Sequence, residues 1–278
     1  MRIALTGATG FLGRHLLFEF AKQYFFQLDQ LQILIFGRSH KNSSLADRIK
    51  EIFNTEFEDY LGISSAEIQE KINSFLEKNT QYVDIQLDSS FPISQNNFQK
   101  IKDLPIDHFF HLAAMPDLRN SPEADKETFQ TNVVGTTNLL NLVNLLTVKE
   151  FDYVGTAYVC GKNKGLLAPD FMNLQGEFHN PYEKSKLQAE ILVKEFAEKK
   201  GLTYKIFRPS VISGRLLEKE LGKTNRFNVF YEIFAFLFSE KLLKTKSLSK
   251  ALTEEFYLPL RAVFDSNSGI NIVPVDYV

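Results

Sequence analysis

Short apolar runs alternate along this chain with longer stretches in which apolar residues recur every three or four positions. The short runs predict strands at residues 2–6, 31–36, 82–87, 107–112, 150–156 and 203–207. The longer stretches predict helices at residues 12–24, 46–57, 122–146 and 182–199, the last of which ends before Gly201. Strands that alternate with helices are typical of βαβ units. The pattern therefore predicts an α/β fold with a doubly wound parallel sheet.

The alternation weakens after Arg208-Pro209, which predicts a division of the chain into two parts. Residues 1–210 form the predicted sheet domain, and residues 211–278 form a small helical segment. In that segment, residues 215–261 predict two helices separated by turns rich in lysine and serine, and a phenylalanine-rich stretch covers 227–238. Asp276 is a residue type that caps helix N-termini. It therefore predicts a further helix, and with it a native chain that continues past Val278.

The composition is that of an ordinary globular protein. Of 278 residues, 44% are hydrophobic and 24% are charged, and 34 acidic against 32 basic side chains give a net charge of −2. This balance gives no indication of nucleic acid as a partner. No apolar stretch is long enough to span a bilayer, and the single cysteine, Cys160, fits a reducing compartment. We therefore expect a cytoplasmic protein without a transmembrane segment. No group of residues has metal-ligand spacing, so no metal site is predicted.

A glycine-rich turn follows the first predicted strand and precedes the first helix. Glycines at positions 7, 10 and 13 allow a tight turn, close approach of a pyrophosphate to the backbone, and close packing of the helix on the strand. The helix N-terminus adds free N–H donors. Plain βα turns also contain glycines, but the strand–turn–helix context favours a dinucleotide site in a Rossmann-type sheet. The predicted contacts come from Gly7, Thr9, Gly10, Phe11, Leu12, Gly13 and Arg14.

The end of the second predicted strand indicates which dinucleotide binds. NAD-binding proteins place a carboxylate there on the ribose hydroxyls, whereas this chain has Arg38. A guanidinium can stack on adenine and pair with a 2′-phosphate, and Arg14 is placed to add a second contact. The plainer alternative is that Arg38 is a solvated loop residue. We predict NADP(H) as the preferred cofactor, with NAD(H) as the alternative.

Four polar residues form the candidate catalytic group. Tyr182 and Lys186 stand at i and i+4 of a helix that begins at Pro181, so that the ammonium can lower the pKa of the phenol. Thr156 ends a buried strand at the edge of the sheet where ligands bind. Asn132 lies inside a helix, a position that asparagine disfavours. Plainer interpretations exist for each: an exposed helix face, a strand-favouring threonine, and an asparagine that packs or holds water.

Together these motifs resemble the extended short-chain dehydrogenase/reductase family over nearly the whole chain, from Gly7 to Val278. The matching pieces are the glycine turn, His111-Leu112-Ala113-Ala114, Asn132-Val133-Val134-Gly135-Thr136, Thr156, Tyr182 with Lys186, and Arg208-Pro209-Ser210. Within the family, the chain is most similar to the fatty acyl-CoA reductase and thioester reductase branch, the "male sterility" type. The pieces similar to that branch are Arg38, Asp47-Arg48-Ile49, Gly155-Thr156-Ala157-Tyr158-Val159 and residues 271–278.

The resemblance implies roles for the catalytic group. Tyr182 would be the general acid/base, and Lys186 would lower its pKa and hold the nicotinamide ribose. Thr156 would orient the reacting oxygen, and Asn132 would hold a proton-relay water. Gly155 stands where the family often has serine, but this departure removes none of these four groups.

The resemblance also implies the rest of the cofactor site. Asp88 would lie near the adenine ring, Ala113 and Ala114 along the adenosine and pyrophosphate, and Pro209 to Val211 against the nicotinamide amide. Residues 1–210 would then be the NAD(P)-binding domain and residues 211–278 the substrate-side segment. Leu87 replaces a glycine that usually precedes the acid, which weakens the adenine-side prediction for Asp88.

Three functions are compatible with these residues. The first is an NADPH-dependent reductase of an acyl thioester, either acyl-CoA or carrier-bound, or of the derived aldehyde. The second is an NAD-dependent sugar-nucleotide epimerase or dehydratase of the same family, which Arg38 disfavours. The third is a non-catalytic dinucleotide-binding protein, which need not retain Tyr182, Lys186 and Thr156 together. The partner expected for the first function is a small-molecule acyl substrate, and the sequence does not indicate whether the chain forms homo-oligomers.

Overall fold

The computed structural model of the protein contains one six-stranded sheet in which all neighbouring strands are parallel. Its strands are β1 (Arg2–Thr6), β2 (Gln32–Gly37), β3 (Thr80–Asp84), β4 (Pro105–His111), β5 (Thr147–Val154) and β6 (Thr203–Phe207). Their order across the sheet is β3-β2-β1-β4-β5-β6. The direction of winding changes between β1 and β4, and ligands of such sheets bind at that point, outside the carboxyl ends of the strands. The predicted Rossmann-type α/β fold is confirmed.

The structure describes residues 1–24, 30–62, 66–217, 222, 224, 230–255, 257, 269 and 271–278. By its internal contacts the chain divides into two compact units, Met1–Pro209 and Ser210–Val278. That residues 211–278 serve the substrate stays a prediction. Among the described residues, no helix is both long and apolar enough to cross a membrane.

Helices cover both faces of the sheet in the first unit. They are α1 (Phe11–Tyr24), α2 (Leu45–Ile52), α3 (Glu58–Leu61), α4 (Ala66–Lys78), α5 (Gln95–Ile101), α6 (Pro122–Thr128), α7 (Gly135–Val143) and α8 (Pro181–Lys200). The longest, α8, has local signals at both ends. The Asn180 side chain accepts a hydrogen bond from the Glu183 N–H at 3.0 Å, Pro181 occupies the first turn, and Gly201 ends the helix with φ +64°.

Phenylalanine fills the core on both faces. On the face covered by α1 to α4, Phe18 packs on Phe53 and Phe57 at ring-centroid distances of 5.2 and 5.3 Å. On the other face, Phe109 and Phe151 stack at 5.5 Å beneath α7 and α8. Aromatic side chains bury large areas and gain further from edge and offset contacts, so these rings account for much of the sheet's stability.

The strand predictions hold to different degrees across the sheet. β1 and β6 have the predicted bounds, whereas β3 begins two residues earlier than predicted and ends at Asp84. Ile85 then leaves the ladder and forms an isolated bridge with Ile93. The apolar run at 82–87 therefore belongs partly to a strand and partly to the following turn. The sequence patterns did not predict α4 or α5 as separate helices.

The second unit contains a two-stranded parallel sheet, β7 (Val211–Ser213) with β8 (Ile272–Pro274), and the helices α9 (Phe230–Thr245) and α10 (Leu248–Thr253). These helices correspond to the predicted pair, with Lys246 and Ser247 between them. Phe227 lies outside the described residues, as do the side chains of Phe230 and Phe234. That Asp276 caps a further helix stays a prediction. The Asp276 carboxylate accepts backbone N–H groups of Leu216, at 3.0 Å, and Leu217, at 2.7 Å.

Candidate functional site

The glycine turn between β1 and α1 is packed so closely that side chains do not fit. Gly7 has φ +78°, and a β-carbon there would lie 2.8 Å from the Ala113 backbone nitrogen. A β-carbon at Gly13 would lie 2.1 Å from the Gly7 carbonyl oxygen. The turn is therefore a side-chain-free cradle at a helix N-terminus, and this geometry fits the pyrophosphate of a dinucleotide. Thr9, Gly10, Phe11 and Leu12 complete the turn and are all partly buried.

A buried histidine joins the two strands that flank this cradle. The Thr6 hydroxyl accepts the N–H groups of Leu112 and Ala113, so we assign its own hydrogen to His111 Nδ1, 2.7 Å away. His111 Nε2 then donates to the Thr136 hydroxyl at 3.1 Å. Burial, reinforced by the charge of Lys186, lowers the pKa of His111 to about 3. The histidine is thus neutral and structural, and it fixes the backbone that leads to Ala113 and Ala114.

The structure assigns Arg14 a different partner from the expected 2′-phosphate. Its side chain is buried, forms an ion pair with Glu56, and donates to the Thr9 carbonyl at 2.9 Å. A guanidinium that is neutralised and held inside the protein is poorly placed as a second phosphate contact. Arg14 stabilises the glycine turn from within, and its contact with the phosphate stays a prediction that this geometry disfavours.

Arg48, which the sequence did not mark as a cofactor contact, lies where that second cation was expected. From the first turns of α2 it donates to the Arg38 carbonyl at 2.8 Å and to the Thr9 hydroxyl at 3.3 Å. Arg38 itself is exposed at the end of β2. The carboxylate of Asp84, at the end of β3, is bonded to the Ser39 N–H at 2.7 Å and to its hydroxyl at 3.0 Å. Arg48 therefore links the loop after β2 to the glycine turn.

The adenine-side acid lies in a turn beyond β3. Asp88 is exposed there, three residues after the isolated bridge of Ile85. The preceding residue, Leu87, is fixed by its carbonyl, which accepts the Asn138 amide at 2.8 Å. Because the leucine backbone is held in this way, its replacement of the usual glycine does not loosen the turn. The contact of Asp88 with adenine stays a prediction.

Thr156 and Tyr182 meet beyond the carboxyl end of β5. Thr156 is 5% exposed, and its hydroxyl lies within hydrogen-bonding reach of the Tyr182 side chain. Its own backbone begins a short 3₁₀ turn, Ala157–Cys160, in which the Tyr158 N–H donates to the Thr156 hydroxyl at 3.3 Å. Burial raises the pKa of Tyr182 to about 12, against the lowering effect of the bond to Thr156. The phenol is thus fully protonated at neutral pH.

Lys186 contacts the end of β5, and its predicted contact with the nicotinamide ribose stays a prediction. Its ammonium donates to the Val154 carbonyl at 2.7 Å and lies 4.4 Å above the ring centre of Tyr153. The group is 2% exposed, and burial lowers its pKa to about 7 although Glu190 opposes that shift. The expectation that Lys186 lowers the pKa of Tyr182 is not met here, because burial dominates the phenol and the ammonium is directed at the strand.

Asn132 lies in a π-helical turn, Phe129–Val134, between α6 and α7. Its amide nitrogen donates to the Met115 carbonyl at 3.1 Å and to the Ser185 hydroxyl at 2.9 Å, and its amide oxygen accepts the Met115 N–H at 2.7 Å. Such turns insert an extra residue into a helix and often occur at functional sites. Asn132 thus fixes the loop after β4 against α8, and its water-holding role stays a prediction.

Pro209 lies at the end of the first unit and Val211 at the start of the second. The Pro209 carbonyl accepts the Ala157 N–H at 2.9 Å and the Thr156 hydroxyl at 3.5 Å. Val211 begins β7 and pairs with Ile272. Pro209 is therefore tied directly to the backbone around Thr156, whereas the contact of either residue with nicotinamide stays a prediction.

A buried ion pair, which the sequence did not reveal, lies one turn beyond Lys186. Glu190 is fully buried and pairs with Arg208, whose Nε donates to its carboxylate at 2.8 Å. Arg208 also donates to the carbonyls of Pro169, at 2.7 Å, and Phe171, at 2.9 Å. A β-carbon at residue 155 would lie 3.0 Å from the second Glu190 oxygen, so Gly155 leaves room for this carboxylate. The i+4 spacing from Lys186 is the only sequence signal for Glu190.

A second charged group lies on β4 and β5. Ligand-type atoms of His108, Glu150 and Asp152 lie within 4.8 Å of one another. The Lys205 ammonium already contacts the Glu150 carboxylate at 2.5 Å, so a positive charge is present without a metal ion. The residues come from two strands 42 positions apart or more, which is why spacing along the sequence did not indicate them. The expectation of no metal site stays a prediction.

Comparison with known proteins reveals related reductases. The NAD-binding family model described as male sterility protein matches residues 5–278. Fatty acyl-CoA reductase 1 of Gallus gallus is 27% identical over 252 residues, which cover 81% of this chain and 46% of that protein. The chain thus spans about half the length of this curated relative.

Two solved structures share the fold. The terminal R domain from the myxalamid PKS-NRPS biosynthetic pathway has a TM-score of 0.69 at 22% identity, over 99% of this chain and 60% of that one. UDP-glucuronic acid 4-epimerase of Bacillus cereus, in complex with UDP-glucuronic acid and NAD, has a TM-score of 0.59 at 19% identity, over 99% and 70%. Because the family model extends over nearly all of the chain and the fold agrees, this protein belongs to the male sterility family of extended short-chain dehydrogenases/reductases.

Proposed function

We propose that this protein is an NADPH-dependent reductase of an acyl thioester, bound to coenzyme A or to a carrier, or of the aldehyde derived from it. The observation that supports this proposal most is the pair of guanidinium groups, Arg38 and Arg48, in the segment that follows β2. A 2′-phosphate is the group on NADPH that such a pair binds well. Enzymes that consume NADPH carry out a net reduction. The alternative function is that of an epimerase, such as the one whose structure contains NAD.

The glycine cradle supports a dinucleotide at this site. The Gly7–Gly13 turn lies at the N-terminus of α1, beside the backbone of Ala113. Thr156, Tyr182 and Lys186 lie at the carboxyl end of β5 and the start of α8, at the edge of the sheet where the nicotinamide end of such a cofactor binds. When bound, the nicotinamide supplies the hydride.

The state of Tyr182 suits reduction. Because its pKa is raised to about 12, the phenol holds its proton at neutral pH and can donate it to a carbonyl oxygen. The Thr156 hydroxyl lies within reach of the Tyr182 hydroxyl. It would orient the substrate carbonyl oxygen towards Tyr182. Lys186 would hold the nicotinamide ribose, as the family resemblance implies.

The reaction requires one hydride and one proton in each step. In thioester reduction the carbonyl carbon gains the hydride while Tyr182 would donate its proton to the carbonyl oxygen, which gives a hemithioacetal. The C–S bond then breaks, Tyr182 recovers its proton from the hydroxyl, and the departing thiolate takes the one proton of the net reaction from solvent, which gives an aldehyde and a thiol. In aldehyde reduction the carbon gains the hydride and the oxygen keeps the proton.

The proposal is tested with the purified chain, NADPH and a panel of acyl-CoA thioesters and aldehydes. We expect absorbance of NADPH to fall, with one free thiol released for each NADPH consumed in the first step. The same assay with NADH should be slower. A chain that oxidises neither nucleotide with any acyl substrate, but interconverts UDP-sugars with added NAD, would contradict the proposal in favour of the epimerase.

A further inference from the structure

Lys186 is enclosed by groups from three elements. Its Nζ lies 4.4 Å from the ring centre of Tyr153 on β5 and donates to the Val154 carbonyl at 2.7 Å. Glu190, one turn along α8, acts on it through space. His111 on β4 also interacts with it, and that imidazole is neutral. Lys186 is 2% exposed, so water contributes little to holding its charge.

The Tyr153 ring is fixed independently of its hydroxyl. Tyr153 is 1% exposed, and its hydroxyl oxygen has no hydrogen-bond partner among the described residues. The ring packs on His111 at a centroid distance of 5.7 Å and belongs to the core beneath α8. A buried tyrosine normally uses its hydroxyl, so a tyrosine that leaves it unbonded is retained for its ring.

The other charge near Lys186 is already engaged. Glu190 pairs with Arg208 through one carboxylate oxygen, and burial raises the pKa of the carboxyl. The charge of Glu190 is therefore shared with Arg208, and Glu190 acts on Lys186 through space. The Val154 carbonyl is a neutral acceptor. As a hydrogen-bond acceptor it also prefers an ammonium to a neutral amine, but it belongs to the backbone, so the π face of Tyr153 is the side-chain group in direct contact with that preference.

We propose that Tyr153 is a positioning residue for Lys186, whose ring holds the ammonium at the end of β5 in its charged form. The inference concerns the same site as the proposed function, but the contact exists in the protein alone. Without the ring, the buried lysine would lose its proton more readily, because desolvation favours the neutral amine. Since Lys186 titrates near neutral pH, the ring would decide how much of it is charged there.

The contact is tested by NMR of the full chain with ¹³C-labelled lysine, without nucleotide or substrate. Lys186→Arg identifies the Lys186 signal by its loss. In the wild type, we expect the ε protons to resonate upfield of exposed lysines because of the ring current. A Lys186 signal at the position of exposed lysines would overturn the proposal without any substitution of Tyr153.

Variants of Tyr153 then test the effect on charge. Tyr153→Phe keeps the ring, and it should leave the titration midpoint of Lys186 unchanged within a few tenths of a pH unit. Tyr153→Leu and Tyr153→Met remove the ring while keeping an apolar side chain, and each should lower the midpoint by about one unit. Circular dichroism identifies the variants that fold. A midpoint that stays fixed in a folded ring-less variant, or that falls equally in Tyr153→Phe, would overturn the proposal.

NADPH affinity gives a second readout. In the ring-less variants the dissociation constant at pH 8 should rise several-fold, and it should recover at lower pH as Lys186 regains its charge. In Tyr153→Phe it should follow the wild type at every pH. If the chain binds no NADPH, the proposed function fails, while the lysine titration still decides the role of Tyr153.

Discussion

At the scale of the residue, the proposed role of Tyr182 can be tested directly by one substitution. Its pKa of about 12 keeps it protonated at neutral pH, and its hydroxyl lies within hydrogen-bonding reach of Thr156. Tyr182→Phe removes the proton and little else. We expect kcat to fall about a hundredfold to ten-thousandfold, with NADPH affinity nearly unchanged, because the phenol acts only on the reacting oxygen.

The measurement is steady-state turnover with a confirmed substrate, together with NADPH titration by fluorescence. Tyr204→Phe is the matched control, since that residue lies on β6 with its hydroxyl at an exposed glutamate, Glu198. A Tyr182→Phe variant that keeps most of its rate would show that another group delivers the proton.

The sequence indicated which residues belong to the candidate site better than it indicated which residues they contact. The sequence marked Tyr182, Lys186 and Thr156, because each motif lies within a few positions of a strand or helix end. It did not distinguish Arg14 from Arg48, since the choice depends on Glu56, which lies 42 positions from Arg14. Likewise, the ring beneath Lys186 comes from a strand 33 positions away along the chain. Contacts of this kind are set by folding and leave no local pattern.

At the scale of the element, the glycine turn is the part of the site that leaves least room for an added side chain. A β-carbon at Gly13 would lie 2.1 Å from the Gly7 carbonyl oxygen, so Gly13→Ala must displace either the turn or α1. We expect NADPH binding to weaken at least tenfold and thermal stability to fall. Gly269→Ala is the control, because a β-carbon there meets nothing within 4 Å.

Calorimetric titration and thermal unfolding of both variants measure these effects. If Gly13→Ala binds the nucleotide as tightly as the wild type, the turn is not the cradle for its pyrophosphate. If Gly269→Ala also weakens binding, the loss reflects a general sensitivity to added methyl groups and not the geometry of the turn.

Strands and helices were predicted well where a single periodic pattern or clear end signals cover the whole element. The strand that precedes the glycine turn and the edge strand β6 have the predicted bounds, and α8 carries its own N-cap, proline and terminal glycine. The region between β2 and β3 was read as one helix, but α2 is followed by a π-helical turn, Phe53–Phe57, and by two more helices. The apolar residues of this region all pack into one core. Their spacing therefore does not indicate where one helix ends and the next begins.

At the scale of the whole molecule, stability should depend on a carboxyl group that is not part of the proposed catalytic group. Burial raises the pKa of Asp152 to about 6, and the neighbouring Glu150 adds to the rise. An unfolded aspartate ionises near about 3.9. Between these values the folded chain holds a proton that the unfolded chain lacks, so this group's contribution falls as pH rises through that window.

Asp152→Asn keeps the shape and a hydrogen-bond donor without the charge. Relative to the wild type, we expect its melting temperature to be higher above about pH 6 and the difference to shrink towards pH 4. We compare the variant with the wild type at each pH because His111 also affects the pH dependence of stability. Its pKa is lowered to about 3, so its contribution rises with pH over the same range. Asp170→Asn, at an exposed position, is the control. A difference that does not vary with pH would contradict this assignment.

The proposed preference for NADPH can be tested at single residues, because it rests on the arginines of the segment after β2. A charge-assisted hydrogen bond to phosphate contributes about 1.5–3 kcal/mol, which corresponds to roughly tenfold to a hundredfold in affinity. Arg38→Ala and Arg48→Ala should each weaken NADPH binding by about that factor and leave NADH binding nearly unchanged. Lys78→Ala, an exposed charge at the end of α4, is the control.

The most direct measurement is the ratio of the NADH and NADPH dissociation constants in the wild type, Arg38→Ala, Arg48→Ala and Arg38→Asp. We expect the wild type to bind NADPH more tightly, the ratio to approach one in the alanine variants, and Arg38→Asp to favour NADH by offering an acceptor to the ribose hydroxyls. A wild type that binds both nucleotides equally, or a ratio that stays fixed across the variants, would contradict the NADPH-dependent reductase and favour the epimerase.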